Sequence, residues 1–421
     1  MLRFIPYFIV GIITSFYFFP VSFTFLPDNV NTKMILAVIG VALAGYNSIK
    51  EERITIPKGI IIPACIAVIF SIICLISIDI NHSDDYSYAS YIVSFFVWLG
   101  GAYSVCMAIK RVHGVVDFKL LTYYLAGVCL SQCILALMID NIPILQRLVD
   151  SVVRQGQEFL QEVDRLYGIG ASLDPAGVRF SLVLIMIAGL LGNDQETRRN
   201  NLTITLLLIA FFTIAVVGNM ISRTTIIGLG CAVVYFVISS GLFRVLIKYD
   251  AIKLGVLFAI LLFSAIVISV YLYNSSDAFY NYSRFAFESF FNWAEKGEWR
   301  TSSTDKLNRE MWVWPQDQRT WIIGSGLFDD FIYSTDVGYC RFILYCGLVG
   351  FSVFAFLFVY LGAFFAAKIP KYRIMFLIFI GLTFVVWLKV ATDIFFIYAL
   401  FFCLDQFITP TKEEISYEDS I

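Results

Sequence analysis

The sequence predicts an all-α polytopic membrane protein with about twelve transmembrane helices, and three observations support this fold class. Hydrophobic residues make up 59% of the 421 residues and charged residues only 15%, whereas soluble domains carry about 25% charged residues. Apolar runs long enough to cross a bilayer recur along the whole chain. The charged residues gather between these runs, and the mean hydropathy is +0.80. One soluble core could not bury this much apolar surface.

Polar breaks divide the chain into twelve predicted spans. These are 4–25, 34–49, 60–80, 90–109, 119–139, 178–192, 202–218, 225–243, 254–273, 342–366, 374–390 and 394–409. Two longer segments, 140–177 and 274–341, interrupt the series. The chain 1–421 is therefore predicted to form a single integral membrane domain with two long loops.

The distribution of lysine and arginine predicts the topology. If the N-terminus is cytoplasmic, the short inner segments carry sixteen of these residues and the short outer segments carry three. Because short cytoplasmic loops are enriched in positive charge, both termini are predicted inside and both long loops outside.

Arginine and lysine are also divided unequally between the two faces. The outer face carries ten arginines and four lysines, and the inner face carries seven and nine. The planar guanidinium binds phosphate oxygens bidentately, while lysine acts as a point charge. The outer excess favours a phosphate-bearing ligand there; the alternative is ordinary ion pairing with the acids of the same face. The net charge of −2 indicates no nucleic-acid partner.

The sequence predicts neither a metal nor a cofactor. Most of the nine cysteines lie inside apolar runs and none has CxxC spacing, so we interpret them as small core residues. The two histidines, His82 and His113, are far apart in the chain. Asp84 and Asp85 are adjacent but lack further ligands.

The first long loop contains a predicted amphipathic helix over 144–167, with apolar residues at helical spacing. Arg154 is predicted to lie on its solvated face. Arg165 ends the helix before the glycine-rich segment 168–177, after which the chain re-enters the membrane at Arg179. A charge near the end of a span is costly unless it is paired or functional, so Arg165 and Arg179 are candidate substrate contacts.

A short polar turn, 218–225, separates two later spans. Arg223 lies in it between Ser222 and Thr224. The arginine either extends to lipid headgroups or clamps a phosphate with the neighbouring hydroxyls as donors. The tight polar setting favours the clamp.

The second long loop is rich in tryptophan, because five of the seven tryptophans of the chain lie in it. They are Trp293, Trp299, Trp312, Trp314 and Trp321. Tryptophan anchors loops at the membrane interface, and aromatic rings with polar neighbours also suit sugar faces. Both interpretations remain open for each ring.

Three short motifs carry a resemblance to a known family. They are Arg165-Leu-Tyr-Gly168, the turn 218–225, and the series Gly324-x-Gly326, Thr335-Asp-Val-Gly338 and Gly347-Leu-Val-Gly350. Together they resemble the O-antigen polymerase (Wzy) and O-antigen ligase group of bacterial inner-membrane proteins. In this group a large late periplasmic loop precedes the final helices, and the similar topology covers nearly the whole chain.

The resemblance implies a GT-C-like fold with an amphipathic periplasmic helix and a large late periplasmic loop. It also implies a metal-independent glycosyltransferase that joins undecaprenyl-pyrophosphate-linked repeat units of O-antigen or a related surface polysaccharide at the periplasmic face. Periplasmic arginines would hold the diphosphates. Matched to this sequence they are Arg165, Arg223 and Arg284, with Arg309 and Arg341 as further candidates.

Two departures from the family pattern affect the choice within the group. A pattern described for some polymerases, in which ten residues separate an arginine from a glycine, is not met, because Gly177 lies one position too far from Arg165. The histidine usual in the large loop of ligases is missing here. The second departure favours a polymerase over a ligase.

Glycosyl transfer needs a base for the acceptor hydroxyl and positive charge for the leaving diphosphate. Without a loop histidine, the base is predicted to be Asp336, then Asp84 or Asp85, then Glu288; helix capping is the alternative for Asp336. The predicted site divides into two groups. The catalytic residues are Asp336, Arg223 and Arg284, and the substrate-binding residues are Arg165, Arg179, Arg309, Arg341, Ser222 and Thr224.

Two rival functions remain: a ligase that transfers finished glycan to lipid A core, and a flippase or transporter of lipid-linked oligosaccharide. The spans are nearly free of charge, which argues against transport. The expected partners are the undecaprenyl-pyrophosphate-linked oligosaccharide, membrane lipids and a Wzz-like chain-length regulator.

Overall fold

The computed structural model describes residues 4–28, 30–156, 160, 165–240, 249–328 and 333–408. Within them the chain is a helical polytopic membrane protein, because eight of the helices are long and apolar enough to cross a membrane. The described strands form one two-stranded antiparallel pair, in which Ser22 faces Arg154 and Phe23 faces Val153.

Each of the twelve predicted spans overlaps a helix. These helices are α1 (Ile5–Phe18), α2 (Thr32–Glu51), α3 (Ile61–Asn81), α4 (Tyr91–His113), α5 (Phe118–Asn141), α7 (Leu173–Asn193), α9 (Asn201–Ile221), α10 (Thr225–Ser240), α11 (Tyr249–Ser275), α16 (Gly338–Lys368), α17 (Arg373–Val386) and α18 (Phe395–Phe402). The elements between them are β1 (Ser22–Phe23), α6 (Pro143–Val152), β2 (Val153–Arg154), α8 (Gln195–Arg199), α12 (Asp277–Ala286), α13 (Glu288–Lys296), α14 (Ser302–Glu310), α15 (Gln318–Ile323) and α19 (Asp405–Ile408).

The first long loop differs from its prediction. The amphipathic helix α6 begins at Pro143, but it ends at Val152, and the chain continues as the strand β2. A helix over the whole of 144–167 was therefore wrong, and part of that range lies outside the described residues. Arg154 lies in the strand, where its guanidinium pairs with the carboxylate of Asp28 and donates to the Leu26 carbonyl.

The described part of the second long loop, 274–328 and 333–341, contains four short helices, α12 to α15. Three of them begin at a hydroxyl or carboxylate residue whose side chain accepts a hydrogen bond from the backbone three residues on. These residues are Ser276, Thr301 and Asp317. Such side chains satisfy donors that the first turn of a helix leaves free, so the polar residues of the loop end and restart short helices.

The helix α7 is the most buried of the long apolar helices, and glycines set how closely α10 approaches it. A Cβ on Gly228 would stand 2.2 Å from the Ser181 Cα, and one on Gly177 would stand 2.5 Å from the Ser222 Oγ. Small residues let the backbones of membrane helices approach this closely. As a result, the turn between α9 and α10 lies directly over the first turn of α7.

The helix α16 is broken at Gly347, which has φ +64° and ψ −178°. The break frees carbonyls of the preceding turn, and the segment after α15 satisfies them. Ser325 N donates to the Leu344 carbonyl at 2.7 Å, and Gly326 N donates to the Tyr345 carbonyl at 3.0 Å. The glycine motifs of the late loop and of α16 therefore form one contact.

Replacing Gly347 with alanine is expected to destabilise the protein. The positive φ disfavours any residue with a Cβ, and that Cβ would stand 2.2 Å from the Ile322 carbonyl oxygen. We expect a fall of several degrees in the midpoint of thermal unfolding in detergent, which corresponds to a loss of about 2 kcal/mol or more. Gly381→Ala in α17 is the matched control, because nothing lies within 4 Å of its Cβ. Equal midpoints for the two variants would contradict this account.

Candidate functional site

Two of the predicted arginines, from distant parts of the sequence, meet on one aromatic ring. The guanidinium carbon of Arg223 lies 3.9 Å from the centroid of Phe285, and that of Arg165 lies 5.1 Å from it. Arg223 also forms an ion pair of 2.8 Å with Glu288 and donates to the Ser303 hydroxyl at 3.3 Å. We call Arg165, Arg223, Phe285 and Glu288 the two-arginine cluster.

The two-arginine cluster retains unused hydrogen-bond donors. The Nε atoms of Arg165 and Arg223 are buried and have no partner among the described residues. Burial lowers the pKa of Arg223, and the positive charge of Arg165 adds to that effect while Glu288 opposes it. Buried donors without acceptors are costly, so the cluster favours an incoming anion with several oxygens.

The hydroxyls beside Arg223 are engaged elsewhere. Thr224 donates to the Asp174 carboxylate at 2.5 Å, and Ser222 donates to it at 3.2 Å. Lys389, from the connection between α17 and α18, forms an ion pair of 2.8 Å with the same carboxylate. The structure therefore places Ser222 and Thr224 on Asp174, with no free hydroxyl directed at a phosphate.

Asp174 and Lys389 are absent from the sequence-based site. Each is a single charge at the edge of an apolar run, in the same position as Arg179 and Arg223. The rule that such charges need partners applies equally to them. This rule is a signal in the sequence from which both residues could have been identified.

Asp336 lies within electrostatic range of Asp174 and Lys389. The residue is exposed, and its carboxyl accepts no hydrogen bond from any described residue. It does not cap α16, since Val337 is the capping residue and no side-chain cap is formed. Partial desolvation raises the pKa of Asp336, and the negative charge of Asp174 raises it further, while Arg341 opposes both. An available carboxyl with a raised pKa is suited to accepting a proton.

Two other predicted site arginines, Arg284 and Arg309, form their hydrogen bonds within the helices of the second long loop. Arg284 binds both carboxylate oxygens of Glu295, which raises the pKa of Arg284, and its guanidinium lies 4.7 Å from the Phe291 ring. Arg309 is exposed and donates to the carbonyl of Asp305 one turn earlier in its own helix. The structure does not bring Arg309 to the two-arginine cluster by any described contact.

Arg341 and Arg179 lie near the N-terminal ends of α16 and α7. Arg341 donates to the Phe328 carbonyl at 2.6 Å and lies 3.8 Å from the same ring. Arg179 donates to the Phe18 carbonyl and stacks on Phe396 at 4.7 Å. Arg179 also lies within electrostatic range of Asp393, so the connection between α17 and α18 supplies opposite charges to both Asp174 and Arg179.

An apolar groove of about 810 Å³ lies between α9, α10 and α11, and α12 and α13 cover one end of it. Its lining includes Phe212, Phe258, Leu262, Phe287 and Phe291. Phe287 lies between Phe285 and Glu288 in the chain. The chain segment 285–288 therefore contributes Phe285 and Glu288 to the two-arginine cluster and Phe287 to the lining of the groove.

Comparison with known proteins found no matching family model, no matching curated protein and no matching solved structure. In the part of the chain that the structure describes, no group of three or more histidine, cysteine, aspartate or glutamate side chains is arranged to hold a metal ion. The described site consists of two arginines, paired and unpaired carboxylates and an apolar groove.

The contact between Asp174 and Lys389 predicts a measurable coupling. Lys389→Met leaves the carboxylate without its cation and is expected to cost about 1–3 kcal/mol of stability. Asp174→Asn in the same chain should restore part of that loss, because both charges are then gone. Thermal unfolding in detergent of the two single variants and the double variant measures this. The exposed Lys296→Met is the control, and strict additivity of the two single effects would contradict the coupling.

Proposed function

We propose that the chain is a glycosyltransferase of about twelve spans, with a GT-C-like architecture and both termini in the cytoplasm. It polymerises undecaprenyl-pyrophosphate-linked oligosaccharide repeat units at the periplasmic face of a bacterial inner membrane. The observation that carries this proposal is that one short segment, 285–288, belongs both to the two-arginine cluster and to the lining of the apolar groove. A lipid diphosphate combines a long apolar chain with adjacent negative charge. The groove would accommodate the apolar chain, and the two arginines would bind the diphosphate.

The groove suits the polyprenyl chain. Its volume of about 810 Å³ lies within the range of about 300–1,000 Å³ that is usual for ligand sites. Arg284 lies over Phe291 at its edge, and α9 to α11 provide walls that are open to lipid. In the proposed complex the chain lies in the groove and the diphosphate lies against Arg165 and Arg223.

The arginines would stabilise the leaving group. The bond between the anomeric carbon of the donor sugar and the diphosphate oxygen breaks, and its electron pair remains on the diphosphate. Arg165 and Arg223 are held on Phe285 before the reaction, so they need little reorganisation as this charge develops. The diphosphate would replace Glu288 as the partner of Arg223.

Asp336 is the best placed base among the carboxylates considered. Glu288 accepts from Ser302 N at 2.9 Å besides its ion pair with Arg223, and Asp85 accepts hydrogen bonds from Ser87 N and Phe328 N. Asp84 and Asp336 accept no hydrogen bond from a described residue, and Asp336 is preferred because it lies within electrostatic range of Asp174 and Lys389. It would take the proton of the acceptor hydroxyl as that oxygen bonds to the anomeric carbon.

Arg223→Ala is expected to abolish polymerisation. Removing one preorganised donor to a developing charge typically costs about a hundredfold or more in rate. Arg223→Lys should retain a minor part of the activity, because lysine keeps the charge but lacks the two-pronged geometry. The surface polysaccharide of a complemented deletion strain, separated on a gel, gives the measurement, and Arg147→Ala in α6 is the control.

The same gel distinguishes the rival functions. A single repeat unit on the acceptor indicates loss of a polymerase, whereas complete loss of glycan indicates a ligase. A normal ladder in a strain that expresses Arg223→Ala at the normal level would refute the central role of Arg223. Polymer formation from purified lipid-linked repeats, without a membrane gradient, would separate the enzyme from a flippase.

The pH dependence of polymerisation is expected to report Asp336. A base acts in its deprotonated form, so activity should fall as the pH decreases through a pKa that lies above the ordinary aspartate value. Asp336→Asn should lose about a hundredfold or more of the rate and flatten this acidic limb. Turnover of purified protein across a pH series measures both, with Asp277→Asn as the control. An unchanged acidic limb in Asp336→Asn, or its loss in Asp84→Asn, would assign the base elsewhere.

A further inference from the structure

The five tryptophans of the second long loop form two separate groups. Trp312 and Trp314 have ring centroids 5.7 Å apart, and Trp314 stacks on Trp321 at 5.6 Å with an interplanar angle of 16°. Trp293 and Trp299 contact each other at 6.3 Å. We call the first group the tryptophan row.

The tryptophan row begins next to Asp336. Met311, which precedes Trp312, accepts a hydrogen bond at its carbonyl from the Thr335 hydroxyl. The Met311 side chain packs on Val337 in a small apolar cluster. These contacts hold the residues on either side of Asp336 against the start of the row.

The other end of the tryptophan row is fixed to the membrane helices. Trp321 lies in α15, whose following residues cap the broken helix α16. Arg319, in the same short helix, donates to the Ile80 carbonyl at 2.7 Å, and Asn81 donates to the Gly324 carbonyl at 3.0 Å. The rings therefore have a fixed position relative to Asp336 before any ligand binds.

The tryptophan row is partly open to solvent. Trp312 and Trp314 are 37% and 36% exposed, and Gln316, Asp317 and Gln318 follow them with amide and carboxylate groups. The electron-rich face of an aromatic ring attracts the C–H face of a pyranose, and polar groups at its edge can meet the hydroxyls. This combination is typical of a sugar site.

The second pair of tryptophans has different neighbours. Trp293 contacts Phe290 at 6.2 Å, and Phe290 lines the apolar groove. Trp293 and Trp299 are also the more exposed rings, at 55% and 67%. Their place beside the groove is typical of interfacial anchors.

We propose that the tryptophan row, Trp312, Trp314 and Trp321, binds the acceptor glycan and presents its terminal hydroxyl to Asp336. This inference rests on the proposed function, since it assigns the acceptor to one side of the base and the donor diphosphate to the two-arginine cluster. Specificity for the acceptor sugar then resides in the row, and recognition of the lipid carrier resides in the groove and the arginines.

The test measures binding without turnover. The probe is the repeat-unit oligosaccharide released by mild acid from the lipid-linked precursors of the host strain, added to the purified full-length chain in detergent. Trp314→Ala is expected to weaken its binding about tenfold or more, as followed by saturation-transfer NMR titration. The same variant should bind undecaprenyl diphosphate within about twofold of the unaltered chain. Trp293→Ala is the matched control and should leave oligosaccharide binding unchanged.

Two further variants separate stacking from a structural role. Trp314→Phe keeps an aromatic face and should retain most of the oligosaccharide affinity. Trp314→Leu introduces a side chain close in size to phenylalanine but without an aromatic face, and it should lose that affinity. Equal affinity in the Phe and Leu variants would overturn the proposal, as would equal loss in Trp293→Ala or failure of the unaltered chain to bind the oligosaccharide. Normal polymerisation in Arg223→Ala together with lost oligosaccharide binding in Trp314→Ala would refute the proposed roles of the arginines and leave the glycan site standing.

Discussion

The ion pair between Asp174 and Lys389 is the contact on which the candidate site depends. It joins the first turn of α7, the turn between α9 and α10 and the connection between α17 and α18. Because both charges lie at the ends of apolar helices, separating them would leave each without compensation. Arg223 therefore lies against Phe285 in a turn whose neighbouring hydroxyls, Ser222 and Thr224, are bonded to Asp174. Asp336 likewise lies within the electrostatic influence of this pair.

Burial and pairing separate the arginines of the predicted outer face into two groups. Arg284 is fully engaged by Glu295, and Arg341 is held by the Phe328 carbonyl and ring. Arg165 and Arg223 share one ring, only Arg223 pairs with a carboxylate, and each retains a buried donor. The excess of arginine over lysine thus has two causes, structural pairing and a pair of cations with capacity for an anion.

The eight long apolar helices could be predicted from the sequence, because apolar runs of sufficient length have few other folds available to them. Arg165 and Arg223 could also be singled out, since each is a charge at a membrane edge. Their meeting on Phe285 could not, because it depends on how helices pack side by side, which one sequence does not encode as a visible pattern. The same limit explains the wrong extent of the amphipathic helix. Its apolar spacing continues past Val152, but pairing with β1 ends the helix there.

The break at Gly347 divides α16 into two segments of different length. The part of α16 after the break, at about 1.5 Å per residue, is roughly 31 Å long and alone matches a hydrocarbon core of about 30 Å. The part before it, from Gly338, is therefore not needed to cross the bilayer. This shorter segment begins two residues after Asp336. Its carbonyls accept hydrogen bonds from the chain that follows α15, the helix that contains Trp321. Asp336 and the tryptophan row of the proposed site are therefore attached to a segment that is distinct from the membrane-spanning part of α16.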